Sequence, residues 1–306
     1  MSSIEAASVL DDHIEPNADL LWASLPGPRP AGQDVRYAGD YDAIIEARRH
    51  DNAALPLGVW QRELKRADWL TVERLCINTL TARSKELQVA SWLTEAWINL
   101  RGFSGLEDGL TLLPQLCDRF WPDLNPAIED GDLSARLAPL EWLNEKVPDL
   151  LRSLPIICSA DADERFSWAD FVNAQRLETV RQRDSSAAVR AEAAGAVTLA
   201  RFAACRQRTA TPLLRKTEAQ VKRALGALAE LGSALQRYCG KDAPSLAAIR
   251  SVLEEILAFV GAELSERGKS TPLAFFFAET SIFGERGCFA RSGFWNGCDS
   301  ACPADA

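Results

Sequence analysis

His13 and His50 are the only histidines in this chain of 306 residues, so any chemistry that needs an imidazole rests on one of two widely separated positions. No Gly-x-Ser-x-Gly elbow accompanies them, and His13 lies in an acidic terminal stretch, so a Ser–His or Cys–His nucleophile is not indicated. Zinc would require His and Cys clustered at short spacing, and neither histidine has a cysteine near it in sequence. Cys288, Cys298 and Cys302 form the one local cluster: three thiols with no evident fourth ligand, which read as adventitious. Gly268-Lys269-Ser270 resembles the end of a phosphate-binding loop, whose glycines let backbone amides approach phosphate. Its leading glycine would fall at Glu263, however, and no strand precedes it. Asp123, Asn125 and Glu129-Asp130-Gly131-Asp132 loosely imitate a calcium loop, but Ile128 occupies the glycine position and Ala127 replaces a ligand. An exposed acidic helix start is the better reading. With 43 acidic residues, pairing carboxylates by proximity in sequence discriminates nothing. The sequence therefore predicts no catalytic, cofactor-binding or metal-binding residue. Of the tryptophans, Trp92 and Trp97 sit on helical stripes and are expected to pack, whereas Trp121 lies at a helix end where an exposed ring can anchor a partner. Trp121 is the candidate interaction residue.

The elements that would carry these residues belong to a globular chain: 47% of residues are hydrophobic and 25% charged, close to soluble-protein averages. The net charge of −9 is uneven. Residues 1–150 hold 14 Lys and Arg against 25 Asp and Glu, while residues 151–306 hold 20 against 18. An acidic half repels phosphate backbones, so no nucleic-acid role is expected. Cys76, Cys117, Cys158, Cys205 and Cys239 are spread singly through helical sequence, where a free thiol packs as a small hydrophobe and points to a reducing cytoplasm. The N-terminus lacks the basic region of a secretory signal, and no apolar run approaches the roughly 20 residues of a membrane span.

Residues 16–34 contain Pro16, Pro26, Gly27, Pro28, Pro30 and Gly32 and read as an extended lead-in. Helices follow. One runs from Asp68, a good N-cap, to Leu80, with Val72, Leu75, Cys76 and Leu80 on one face. A second covers about 86–101, with Val89, Leu93, Ala96, Trp97 and Leu100 as its stripe and Gly102 as its stop. A third covers about 105–120, ending before Trp121-Pro122, and a fourth starts at Asp132 and continues to Leu154. Short connections imply antiparallel neighbours. Ile156-Ile157-Cys158 and Phe166-Ser167-Trp168 around an acidic turn suggest a small β-hairpin within 155–170. Helical character returns after Phe171 and continues to about Cys239, with a break at Thr211-Pro212. The last helix, capped by Ser245, shows Leu246, Ile249, Leu253, Ile256, Val260 and Leu264, a stripe suited to a bundle or an oligomer seam, with the bundle favoured for so short a segment. Phe275-Phe276-Phe277 and the glycines and cysteines after it show no periodicity.

The predicted fold is all-α: an antiparallel multi-helix bundle with one small hairpin and an irregular C-terminal tail. The ordered motifs carry a more specific message. Gly32-Gln33-Asp34-Val35-Arg36-Tyr37, Ile45-Glu46-Ala47-Arg48-Arg49, Asp68-Trp69 and the run Arg83-Ser84-Lys85-Glu86-Leu87-Gln88-Val89-Ala90-Ser91-Trp92-Leu93-Thr94-Glu95-Ala96 come in sequence. Gly102-Phe103-Ser104-Gly105-Leu106, Phe120-Trp121-Pro122-Asp123-Leu124, Glu129-Asp130-Gly131-Asp132-Leu133, Arg136-Leu137 and Leu140-Glu141-Trp142-Leu143 follow. Together they resemble the ImpA N-terminal family found in TssA components of type VI secretion systems, with weaker similarity to about residue 262. Asn125 stands where that family usually has His before Pro126, which argues against chemistry there.

The resemblance implies three regions: residues 1–160 as an ImpA N-terminal-like helical region with its lead-in, residues 161–265 as a second helical region, and residues 266–306 as a divergent, poorly ordered tail. It also implies a non-enzymatic, cytoplasmic assembly protein that binds baseplate, tail-tube and contractile-sheath components and guides tail assembly, without cofactor or membrane span. The ring-forming C-terminal segment of the family has no recognisable counterpart, so residues 266–306 read as a truncation, an altered reading frame or a variant end, and homo-oligomerisation is expected to be altered. Two other classes compete. Asp68 to Arg101 spans 34 residues, the length of a tetratricopeptide repeat, which suggests a helical-repeat scaffold unrelated to secretion, although residues 102–135 do not repeat the pattern. A cryptic hydrolase would need a cluster of perturbed carboxylates in a deep pocket.

Overall fold

Helix boundaries in the computed structural model, which describes residues 18–51, 64–159 and 163–269, follow from local capping chemistry. The expectations for His13, Pro16, Phe275 to Phe277, Cys288, Cys298 and Cys302, and for the order of the tail beyond Lys269, lie outside the described residues. The chain order is α1 (Ala18–Leu21), α2 (Gly39–Arg48), α3 (Trp69–Ala82), α4 (Leu87–Arg101), α5 (Phe103–Phe120), α6 (Ser134–Ser153), β1 (Pro155–Ser159), β2 (Glu164–Ser167), α7 (Trp168–Arg183), α8 (Ser185–Ala193), α9 (Leu199–Arg208), α10 (Thr211–Cys239) and α11 (Ala247–Lys269). Over the described residues the fold is all-α with one two-stranded antiparallel sheet. No helix among the described residues is long and apolar enough to cross a membrane. The described residues up to Ser265 form one compact unit; of the second, which begins at Glu266, the described part is helical.

Asp68 caps α3 by accepting the Thr71 amide at 3.0 Å, as its side-chain chemistry predicts. Ser167 and Asp170 close a reciprocal capping box on α7, which starts that helix at Trp168, three residues before the expected Phe171. Asp184 and Thr198 cap α8 and α9 by accepting the Ala187 and Arg201 amides. Gly195, at φ +95°, interrupts the Ala-rich stretch that reads as continuous helix. Asp132 accepts the Ser134 amide at 2.8 Å but lies one residue ahead of the N-cap position, so α6 begins two residues later than expected. The lead-in is not wholly extended, since α1 forms a single turn within it. Helix α2 gave no periodic signal because only Ile44 on it is buried.

Helix α4 is the centre of the fold. Ten of its fifteen residues are buried, among them Leu87, Val89, Leu93, Trp97 and Ile98, so the single expected stripe is a helix covered on nearly every side by α3, α5 and α6. Gly102, at φ +64°, ends α4 and opens α5. Gly105 then meets Trp97, and Gly109 meets Thr94: numbering rises on one helix as it falls on the other, the antiparallel arrangement that the one-residue connection requires.

Helix α10 packs along α5. Arg223 Nε reaches both Glu107 carboxylate oxygens at 2.9 and 2.8 Å, and Tyr238 donates to Asp118 at 3.0 Å. Strands β1 and β2 pair from Ser159–Glu164 back to Pro155–Ser167, confirming the hairpin, and the outward Cys158 amide donates to Thr209 Oγ1 at 3.1 Å. The apolar stripe of α11 is intramolecular: Ile249, Leu253, Ile256 and Val260 are buried. Phe259 on α11 sits 5.6, 5.3 and 6.0 Å from the rings of Trp168, Phe171 and Phe202, an aromatic group that joins α7, α9 and α11 at the edge of the core.

Candidate functional site

The residues that sequence reasoning singled out for chemistry scatter through this fold. Gly268 and Lys269 form the end of α11, so they belong to a helix and not to a loop leaving a strand. Asn125 is buried and donates through Nδ2 to Ser84 Oγ at 3.0 Å, which turns it away from any calcium-like loop. Glu129 to Asp132 form a tight turn in which Asp130 and Gly131 take positive φ. Among the described residues no three His, Cys, Asp or Glu side chains converge to hold a metal ion. Trp121 is half-buried: its ring stacks on Tyr238 at 4.8 Å, and the Arg136 guanidinium lies 5.1 Å from its centre.

Four segments do converge, at a corner below α4. The corner joins α3 to α4 through Arg83, Ser84, Lys85 and Glu86. The lead-in lies across it, with the Lys85 amide donating to Ala31 O at 2.7 Å and the Gln33 amide to Arg83 O at 3.2 Å. From the other side, the Asn125 amide donates to Lys85 O at 3.0 Å and the Leu87 amide to Asn125 O at 2.9 Å. Gly32 is required here. At φ +77°, a Cβ on it would stand 2.1 Å from the Arg83 carbonyl oxygen, inside any tolerable contact.

Three fully buried ionisable side chains meet at this corner, and two of them hold it together. Lys85 Nζ donates to Leu21 O at 2.8 Å, Leu80 O at 2.6 Å and Leu20 O at 3.4 Å, pinning α1 to the end of α3. Burial pulls its ammonium down to about 8, and three carbonyl acceptors keep it charged below that. Arg136 donates through Nε to Pro126 O at 2.8 Å and through its two terminal nitrogens to Trp121 O and Leu124 O. It thereby satisfies the carbonyl of Trp121, at the C-cap of α5, and two carbonyls of the loop that follows. Glu86 has neither carboxylate oxygen hydrogen-bonded among the described residues. Burial, with the like charge of Asp34 second, pushes its carboxyl up to about 8.

A second cluster stands at the α2–α4–α6 contact. Arg48 reaches Glu95 Oε2 through Nε and a terminal nitrogen, both at 2.7 Å, while its guanidinium lies 4.9 Å from the Trp92 ring and 5.1 Å from that of Trp142. A forked ion pair held between two indoles is a rigid tie between helices, suited to guanidinium geometry and not to a lysine. Above the corner, Leu25, Pro26, Arg29, Asp34, Val35 and Arg83 line an open groove of about 610 Å³. Tyr37 beside it is 98% exposed.

Sequence reasoning found these residues only as motif members, without roles. Arg136 carried a readable signal, because it precedes Leu140 and Leu143 at helical spacing and so falls on the buried stripe of α6. Lys85 and Glu86 carried none. The arrangement has the chemistry of a framework: carbonyls satisfied, backbones crossed closely, helices tied.

The same residues align with known proteins. The family described as ImpA, N-terminal, type VI secretion system, matches residues 22–145. The type VI secretion system component TssA1 of Pseudomonas aeruginosa is 28% identical over 151 residues, 46% of this chain and 41% of that protein. The chain thus spans less than half the length of that curated relative. A solved N-terminal domain, including the conserved ImpA_N region, of the TssA component from Burkholderia cenocepacia superposes with a TM-score of 0.74 at 30% identity, over 82% of this chain and 95% of that domain. That likeness extends over more of the chain than the matched family region. The chain belongs to the TssA family of type VI secretion system components and carries its ImpA N-terminal region.

Proposed function

We propose that this protein acts without catalysis, as an assembly factor that binds baseplate, tail-tube and sheath components in the cytoplasm and guides growth of the contractile tail. The observation that carries the reading is the 82% of the chain that follows a solved TssA N-terminal domain. The internal chemistry supports it, since Lys85 and Arg136 are spent on backbone carbonyls and Arg48 on a tie between helices. Residues 1–160 and 161–265 serve as two parts of the binding body in this reading, and Trp121 offers the exposed part of its indole as an anchor.

Affinity capture from native lysate, with the full chain and with a chain ending at residue 265, tests this directly. Recovery of identified sheath, tube or baseplate proteins supports the assembly role. Recovery of none of them by either form removes it.

A further inference from the structure

The lead-in segment over the α3–α4 corner is held beside a carboxyl group that has been left out of every hydrogen bond. Glu86 is 0% exposed, and neither of its oxygens has a hydrogen-bond partner among the described residues. Among the described residues two cations lie near enough to act on it, Arg36 from the lead-in and Arg136 from α6. Both are already engaged. Arg36 forks onto Asp34, with Nε at 3.0 Å and a terminal nitrogen at 2.8 Å from Oδ2, and the Arg136 guanidinium is spent on three carbonyls. The remaining ionisable groups do not neutralise a charge. Asp34 repels it, Tyr41 of α2 faces it with its phenol pushed above the usual range, and Lys85 directs its ammonium to the carbonyls of Leu20, Leu21 and Leu80. An ionised carboxylate in this position would be buried and unpaired, so the folded chain holds the acid form.

We propose that Glu86 is a proton-operated latch: while protonated it leaves Arg36 on Asp34 and residues 31–38 seated on the corner, and on ionisation it draws Arg36 off Asp34 and loosens that segment. Proton loss goes to solvent and no bond other than O–H is broken. Arg36 is the group that exchanges because its fork with Asp34 is partly exposed, whereas Arg136 cannot leave without orphaning three buried carbonyls. The segment that loosens carries Tyr37 and one wall of the groove, so the latch controls the shape of that surface.

The test is a titration of side-chain carboxyl carbons by NMR on the full chain, labelled at glutamate, with the Glu86 signal assigned by its loss in Glu86→Gln or by through-bond connectivity. Glu86 is expected to titrate two or more pH units above the ordinary glutamate value of about 4.3. Asp34→Asn, which frees Arg36 to pair with Glu86, is expected to bring that midpoint down by at least one unit. Removing the like charge of Asp34 lowers the midpoint in any case, so this drop is required by the latch, and amide exchange is the readout that a merely packed acid would not move. Amide exchange supplies an independent readout. After correction for intrinsic rates, exchange at Gln33 and Lys85 is expected to rise at least tenfold between pH 6 and pH 9 in the native chain and to stay level in Glu86→Gln. A Glu86 midpoint in the ordinary range, a midpoint unmoved by Asp34→Asn, or exchange that is level in the native chain would each overturn the latch.

Discussion

Gly105 of α5 lies so close to Trp97 of α4 that a Cβ built on it would stand 2.0 Å from the Trp97 carbonyl oxygen. One turn later, a Cβ on Gly109 would stand 2.3 Å from a Thr94 side-chain carbon. The two glycines form the face on which α5 crosses the central helix, and their spacing of four keeps both on that face. The contact explains why the corner can be as short as Gly102 alone: the helices touch backbone to backbone immediately after the chain reverses.

Gly105→Ala is accordingly expected to destabilise the protein by about 3 kcal/mol or more, because the obstacle is backbone and the helices must separate. Gly226→Ala is the control. Gly226 lies inside α10 with nothing within 4 Å of its added carbon, so alanine's better helix propensity is expected to stabilise by up to about 1 kcal/mol. Urea unfolding of both variants reads the contrast; equal effects would contradict the close crossing.

Arg136→Lys should be nearly as damaging as removal of the side chain. The planar guanidinium reaches the carbonyls of Pro126, Trp121 and Leu124 at once, and a single ammonium on a shorter stem cannot span them. The site is 0% exposed, so water does not replace the lost donors without rearrangement. Each orphaned carbonyl costs about 1 kcal/mol or more. The expected loss is therefore about 2–4 kcal/mol for Arg136→Lys, read as a lower urea midpoint at unchanged slope.

What the sequence makes legible here follows from how local each feature is. Asp68 before α3, Gly102 after α4 and the Ile249 to Val260 stripe are fixed by neighbours within a turn or two, and the structure keeps all three. The family motifs are legible for the same reason, as contiguous residue types. Helix α2 was hidden because its burial rests on Ile44 alone, and α4 could not be recognised as central because burial on all sides erases the one-sided stripe. The roles of Lys85 and Glu86 depend on Leu21, Ala31, Asp34 and Arg136, which lie tens of residues away and reach them only through the tertiary fold. Charged types ordinarily mark a surface, so sequence pattern places these two residues outside when they are fully inside.

Glu86 and Lys85 together set the expected pH dependence of stability. Glu86 titrates near 8 when folded and near 4.5 in its reference state, so between those values the folded chain holds a proton that the unfolded chain has lost. Stability then falls as pH rises from about 4.5 to about 8. Lys85 titrates near 8 when folded and near 10.5 in its reference state, so above pH 8 the unfolded chain is the one that binds the extra proton and its term rises with pH. The carboxyls of Asp34 and Asp68, held below their usual range by Arg36 and Thr71 respectively, contribute stability that is lost only as pH falls into the acid range. The native protein is thus expected to be most stable near pH 5 and least stable near pH 8, with a slope between them on the order of 1 kcal/mol per pH unit. In Glu86→Gln the decline between pH 5 and pH 8 should largely disappear, and the variant should be more stable than the native chain at pH 8. Denaturant unfolding at half-unit steps from pH 4.5 to pH 9.5 measures both, and a native curve that rises between pH 5 and pH 8 would refute the assignment.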